Sequence, residues 1–304
     1  MAVKPIEKTE LFARLAVGHA ARITIVTPNT RLTRELAREF DRAQAAKGLS
    51  AWETADILPF SAFCQRAYED ALYSESGAGM PRLLTLAQER DLWESVLSGS
   101  ELLVLSQAAR QCADAWRLAH AWHIDAVPGK FAGNEDAQAF AGWAREYSRR
   151  CARGNFIDGA RLPDLAVKIL ERKPKLLVAY AFDVLPPQTN ELFATLEKDG
   201  VELYVCRAER RASNRTRTSF PSARHELEAA ASWSRARLED GATRIGVVVP
   251  DLQQRRREVV RIFSRLMRSD YNLPDAKQAA LPFNISLGEP LDAAPLVCAA
   301  LAIV

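Results

Sequence analysis

At 304 residues the chain has the length of one large domain or of two to three small ones. A hydrophobic fraction of 48% excludes a largely disordered chain. The net charge of +3 is too small to mark a nucleic-acid binder by itself, so the placement of the arginines matters more than their number.

Five cysteines (Cys64, Cys112, Cys151, Cys206 and Cys298) are widely spaced, with no CxxC pair. An odd, scattered set fits reduced thiols in a cytoplasmic protein better than a disulfide framework or a zinc site. The first 22 residues alternate charged and apolar groups and hold no secretory core. No apolar run approaches the ~20 residues that a membrane-spanning helix needs.

In chain order, a short helix is expected over residues 10–17. Ile23, Ile25 and Val26 mark a strand, Pro28 and Asn29 break it, and Leu32, Leu36 and Phe40 then recur at helical spacing. Residues 52–58 (WETADIL) read as a second strand. Residues 59–72 (PFSAFCQRAYEDAL) read as a helix with Phe60, Phe63 and Ala67 on one face. After the break at 77–81 (GAGMP), helices are expected over 84–97, 103–122 and 136–152, from apolar residues three and four apart. Trp93, Trp116, Trp122 and Trp143 stud them. Interhelical packing is the preferred reading of tryptophans at that spacing, over base stacking. His120 and His123 are three apart, but no third ligand is evident, so helix-surface or core histidines are preferred to a metal site.

Residues 155–170 (NFIDGARLPDLAVKIL) lead to the most informative stretch, KLLVAYAFDVLPPQTNELFATLEKDG at 175–200. Its run Leu176, Leu177, Val178, Ala179, Tyr180 has the length and apolarity of a strand buried on both faces. Pro186 and Pro187 suit a first helical turn, where a missing N–H has no helical partner. Leu192, Phe193 and Leu196 share one helix face, Gly200 closes the helix, and residues 201–206 (VELYVC) make the next strand. This strand–helix–strand unit is the building block of an α/β fold. Pro163, Asp164 and Glu171, Arg172, Lys173 spell the PD…ExK pattern of a nuclease superfamily. That chemistry needs the acids on adjacent strands around magnesium, whereas residues 165–170 between them look helical.

Residues 207–224 hold Arg207, Arg210, Arg211, Arg215, Arg217 and Arg224 against the single acid Glu209, and form the clearest domain boundary, either a solvated linker or a phosphate contact. Beyond it, helices are expected over 225–238, from Pro250 and Asp251 to Met267, and over 292–304. Strands are expected at 245–249 (IGVVV) and 283–287 (FNISL).

Several stretches together resemble superfamily-1 DNA helicases of the UvrD type. Residues 176–188 lie over the family's LLVDEAQDTNPLQ: Leu176, Leu177 and Val178 match, Asp183 falls on the second Asp and Gln188 on the later Gln, while the Asp-Glu pair falls on Ala179 and Tyr180. In the family those two carboxylates hold magnesium and position the attacking water. Alanine and tyrosine can do neither. Residues 26–36 resemble VTFTNKAAREM, with Val26 and Thr27 matching, Arg31 on the Lys, and Arg34, Glu35 and Leu36 on Arg-Glu-Met. Residues 59–64 resemble TFHSFA, and 155–170 resemble DFDDLLLYAVRLL. The phosphate loop GxxxxGK[ST] has no counterpart: Gly18 is the only glycine before Arg22, and Gly-Lys-Ser/Thr occurs nowhere in the chain.

The resemblance implies a P-loop-NTPase-like, helicase-type parallel sheet with its ATPase chemistry removed, as in the ATPase-dead segments of AddB/RecC-like repair exonucleases. It divides the chain into a helicase-like α/β domain (1–80 with 155–206), an inserted helical subdomain (81–154), the basic linker (207–224) and the start of a second α/β domain (225–304). A PD-(D/E)XK nuclease domain is expected beyond residue 304. The implied DNA-contacting set is Thr27, Asn29, Thr30, Arg31, Arg34, Ser61 and Arg66. The degenerate ATPase positions are Ala179, Tyr180, Asp183 and Gln188. No cofactor, metal or membrane is implied; the partners would be DNA and a helicase or nuclease subunit. Two other readings stay open, an active ATP-dependent motor and an α/β scaffold for protein partners.

Overall fold

The computed structural model describes residues 4–100, 103–124, 134–207, 215–268, 273, 282–288, 291 and 294–302. The chain divides into two compact units, Met1–Arg210 and Arg211–Val304.

The first unit is built on a five-stranded, wholly parallel sheet. Its strands are β1 (Lys4–Pro5), β2 (Ile23–Thr27), β3 (Ile57–Pro59), β6 (Leu176–Tyr180) and β7 (Glu202–Cys206), in the order β1-β7-β6-β2-β3. Every residue of β2 and β6 is buried, as the unbroken apolar run of β6 requires, and in β2 the buried Thr24 and Thr27 hydroxyls are hydrogen-bonded. Side chains alternate between the two faces. Ile23, Ile25, Leu176, Val178 and Tyr180 meet helices α1 (Lys8–Leu15) and α2 (Thr30–Ala46) through Leu11, Leu15, Leu36 and Phe40. Val26, Leu177, Ala179 and Leu203 meet α3 (Phe60–Leu72), α7 (Leu162–Ile169) and α8 (Pro187–Lys198) through Phe63, Ala67, Ala166, Leu192 and Phe193. The expected α/β class, parallel sheet and helical insertion are present, an architecture of the Rossmann and P-loop kind.

The insertion is a bundle of α4 (Leu86–Leu97), α5 (Leu105–Ala121) and α6 (Glu135–Arg153), with no strand among its described residues. It leaves and rejoins the sheet domain through a parallel pair that the sequence did not disclose, β4 (Arg82–Leu83) with β5 (Phe156–Ile157). Two residues per strand leave no periodicity to read. The Tyr68 hydroxyl fastens this base, donating to Pro81 O and accepting from Leu83 N, each at 3.0 Å. Inside the bundle Trp93 stacks on Tyr147 with ring centres 4.0 Å apart, and Trp116 meets Trp93 edge-on at 6.1 Å. Both tryptophans are core residues, as expected. Trp143 packs partly buried against the same core, while Trp122 stays half exposed at the end of α5.

The expected strand at 52–58 shrinks to Ile57–Pro59. Its first half is held by side chains instead of a ladder: Asp56 accepts from Thr24 Oγ1 at 2.6 Å, and Trp52 Nε1 donates to Asp41 at 2.8 Å.

The second unit pairs α9 (Ala223–Glu239) with α10 (Leu252–Met267) over Leu227, Ala231, Val259, Ile262 and Phe263, and Phe283 lies 5.6 Å from Phe263. A short helix α11 (Pro295–Leu301) follows. Residues 245–249 and 283–287 do not form the expected strands. A strand needs a neighbour for its N–H and C=O groups, and no strand pairs with either run among the described residues. Val248 is 89% exposed. In the basic stretch, residues 208–214 lie outside the described residues. Arg215 and Arg217 are exposed, and Arg224 belongs to the first turn of α9, paired with Glu228 at 3.2 Å. Cys64, Cys112, Cys151 and Cys206 are buried, and burial raises the thiol pKa of Cys64 to about 12 and of Cys112 to about 11.

Candidate nucleic-acid interface

From β2 the chain passes through α2 to β3 on one side of the sheet. From β6 it passes through α8 to β7 on the other side. Neighbouring strands β2 and β6 therefore part at their carboxyl ends, and in open parallel sheets the crevice at such a switch point is where ligands bind. The turns that form it here are residues 28–29 and 181–186.

Of the helices that begin along this edge, α2, α3 and α8 have no acidic residue in the first turn, while α1, after the edge strand β1, has Glu10. A helix N-terminus carries roughly half a positive charge and unpaired N–H groups. Asn29 caps α2 by accepting from Leu32 N at 3.0 Å. Arg31 follows in the first turn and Arg34 one turn on, both exposed and neither in an ion pair among the described residues. Cations at a helix start oppose the helix dipole. Two uncompensated arginines there tolerate a small loss of stability and leave an anion-attracting point. Thr30 is exposed beside them. Ser61 comes to the same edge in the first turn of α3, because Pro59 pairs in register with Thr27.

Two members of the expected set do not belong to this surface. Thr27 is fully buried and its hydroxyl is engaged, donating to Asn29 O at 3.0 Å and lying 2.7 Å from Thr33 Oγ1. Arg66 lies toward the opposite edge. It clasps Asp56 with two bonds of 2.7 and 3.1 Å, and Asp56 holds Thr24 near the start of β2. Helix α3 runs back along the sheet at 1.5 Å per residue. Its seventh residue is therefore about 9 Å from the edge where it began.

Of the four positions expected to be degenerate ATPase residues, Ala179 and Tyr180 end β6. Ala179 is fully buried toward α3 and α8, and Tyr180 is buried toward α2. The next residue, Ala181, turns the chain at φ +56° and its N–H donates to Cys206 O at 2.8 Å. Asp183 is exposed in the loop. Gln188 is buried and structural: its Nε2 donates to Ala160 O at 2.9 Å and Asp164 Oδ1 at 3.0 Å, tying α8 to α7.

The PD…ExK residues do not converge. Asp164 lies on α7 and serves Gln188, Glu171 accepts from Ser74 at 2.6 Å, and Lys173 donates to Asp199 at 2.7 Å. His120 stands edge-on to Trp116 at 4.2 Å, with its pKa lowered by burial, and His123 is 3.5 Å from Glu191. Among the described residues no group of three metal-ligating side chains occurs, and no helix is long and apolar enough to cross a membrane.

A scan against protein families and a comparison with curated proteins each found no match to this chain.

Proposed function

We propose that the chain is a non-catalytic, helicase-like module that binds the backbone of single-stranded DNA at the carboxyl edge of its sheet, in the service of DNA repair or recombination. The observation that carries this reading is the start of α2, where Arg31 and Arg34 are exposed, unpaired among the described residues and set against the helix dipole at a switch-point crevice. Thr30, the Asn29 amide and Ser61 add neutral donors for phosphate oxygens. Such contacts fix position without reading bases, so binding is expected to be indifferent to sequence.

Each phosphate neutralised on a single strand gives a slope of about −0.7 in log K against log salt, so Arg31 and Arg34 together account for about −1.4. Fluorescence anisotropy with a labelled single strand at low and moderate salt measures this directly. Arg31→Ala with Arg34→Ala is expected to remove that share of the slope. Both side chains are exposed, so the double variant should be at least as stable as the parent, within ~0.5 kcal/mol or slightly above it. An unchanged slope in the double variant would mean that no DNA crosses this edge.

A further inference from the structure

The opposite, amino-terminal edge of the same sheet holds an open groove of about 610 Å³, within the size range of small-ligand sites. Its charged lining comes from the Arg66–Asp56 pair and from His19, Arg22, Asp70, Arg172 and Lys173. Three of these are already matched within the protein. Arg66 is held by Asp56, Lys173 by Asp199 at 2.7 Å, and the His19 ring by Thr54 O at 2.8 Å with Glu53 3.6 Å away. Arg22, Arg172 and Asp70 have no ion-pair partner among the described residues.

Arg22 occupies a left-handed conformation, φ 50° and ψ 47°. For a residue with a side chain this conformation is strained, and glycine would relieve it. Its side chain follows the neighbouring segment, where Nη2 donates to Lys173 O, while its own carbonyl accepts from Lys175 N at 2.9 Å. The Arg22 head therefore rests on the segment that carries Arg172, and two guanidinium groups share one wall. Asp70 lines the same groove from α3, one turn beyond Arg66.

We propose that this groove binds a small phosphate monoester bearing hydroxyl or amino groups, a mononucleotide or a sugar phosphate. The phosphate lies between Arg22 and Arg172, whose planar forks suit bidentate contact with phosphate oxygens. A hydroxyl or amino group of the ligand donates to Asp70. The site is separate from the DNA edge and does not depend on it.

Isothermal titration of the full chain with AMP, glucose 6-phosphate and inorganic phosphate tests the proposal. At least one ester is expected to bind saturably, and Arg172→Ala is expected to weaken it at least tenfold. Asp70→Asn should weaken the ester while leaving inorganic phosphate unchanged. Arg22→Gly relieves the backbone, so it should lose ester binding without losing stability in a melting experiment, which separates a ligand role from a structural one. Arg31→Ala with Arg34→Ala should leave ester binding intact. The proposal is overturned if neither ester binds at millimolar concentration, if Arg172→Ala binds like the parent, or if the Arg31 and Arg34 changes abolish ester binding. Inorganic phosphate binding as tightly as both esters would also overturn it, by removing the role of Asp70.

Discussion

Glu89, on the first turns of α4, is a carboxyl group almost wholly removed from water, with Oε1 lacking a hydrogen-bond partner. Burial pushes its pKa above the ordinary carboxylate value. Arg117, with Nε 4.0 Å away, opposes this, while Asp158 and Asp114 add to it. Because the folded-state pKa is raised, the folded protein holds this proton more tightly than the unfolded chain does. The contribution to stability is full below the unfolded value of about 4.3 and is lost as pH rises through the folded value. Glu89→Gln removes that loss. Its stability relative to the parent should rise on going from pH 4 to pH 8, as followed by urea denaturation at each pH. A difference that does not change with pH would show that Glu89 titrates in the fold as it does in water. Asp158 is more deeply buried, yet it accepts from Trp116 Nε1, from the Ala160 and Arg161 amides and from the Arg161 guanidinium. The partners decide whether a buried carboxylate is a burden or a fastening.

At the scale of elements, the end of β6 is closed to acidic side chains. Ala179 is fully buried against the face that α3 and α8 cover. Ala179→Asp would place an unpaired carboxylate there, a change expected to cost about 3–5 kcal/mol. Urea denaturation should show this as a lower midpoint, and a coupled assay should show no DNA-stimulated ATP hydrolysis, before or after adding Tyr180→Glu. A parent-like midpoint would mean that the strand end opens to water. Strand β6 was legible because burial on both faces turns its whole length apolar, and β2 because Ile23, Ile25 and Val26 mark it between two buried threonines. The run at 245–249 has the same look and no strand, since sequence pattern reports hydrophobicity and not the presence of a pairing neighbour. The helices of the insertion were legible to within two residues, from spacing alone. Arg66 was misplaced for a different reason. A matching motif sets residues side by side along the chain, but α3 carries its later residues back beneath the sheet, away from the edge where Ser61 stays. The Arg22 groove had no linear signature at all, because its walls come from five separate segments.

At the scale of the whole chain, the apolar clusters of residues 6–206 and of residues 227–283 share no member. The first unit closes its sheet on both faces and its insertion on a separate aromatic core, all without the second. A chain ending at Arg210 is therefore expected to unfold cooperatively in urea, and to keep the proposed affinity for single-stranded DNA with the salt slope proposed for Arg31 and Arg34. The second unit is in a weaker position. Among its described residues the apolar core holds five buried side chains, and Val248, Leu291 and Leu296 are each more than 70% exposed. Too little apolar surface is removed from water there to outweigh the entropy of ordering the chain. Residues 211–304 alone should show a broad, low-midpoint urea transition, or associate through those side chains in sedimentation. A sharp transition for 211–304 would show instead that the second unit folds without the first, and loss of DNA binding by 1–210 would show that the first unit depends on the second.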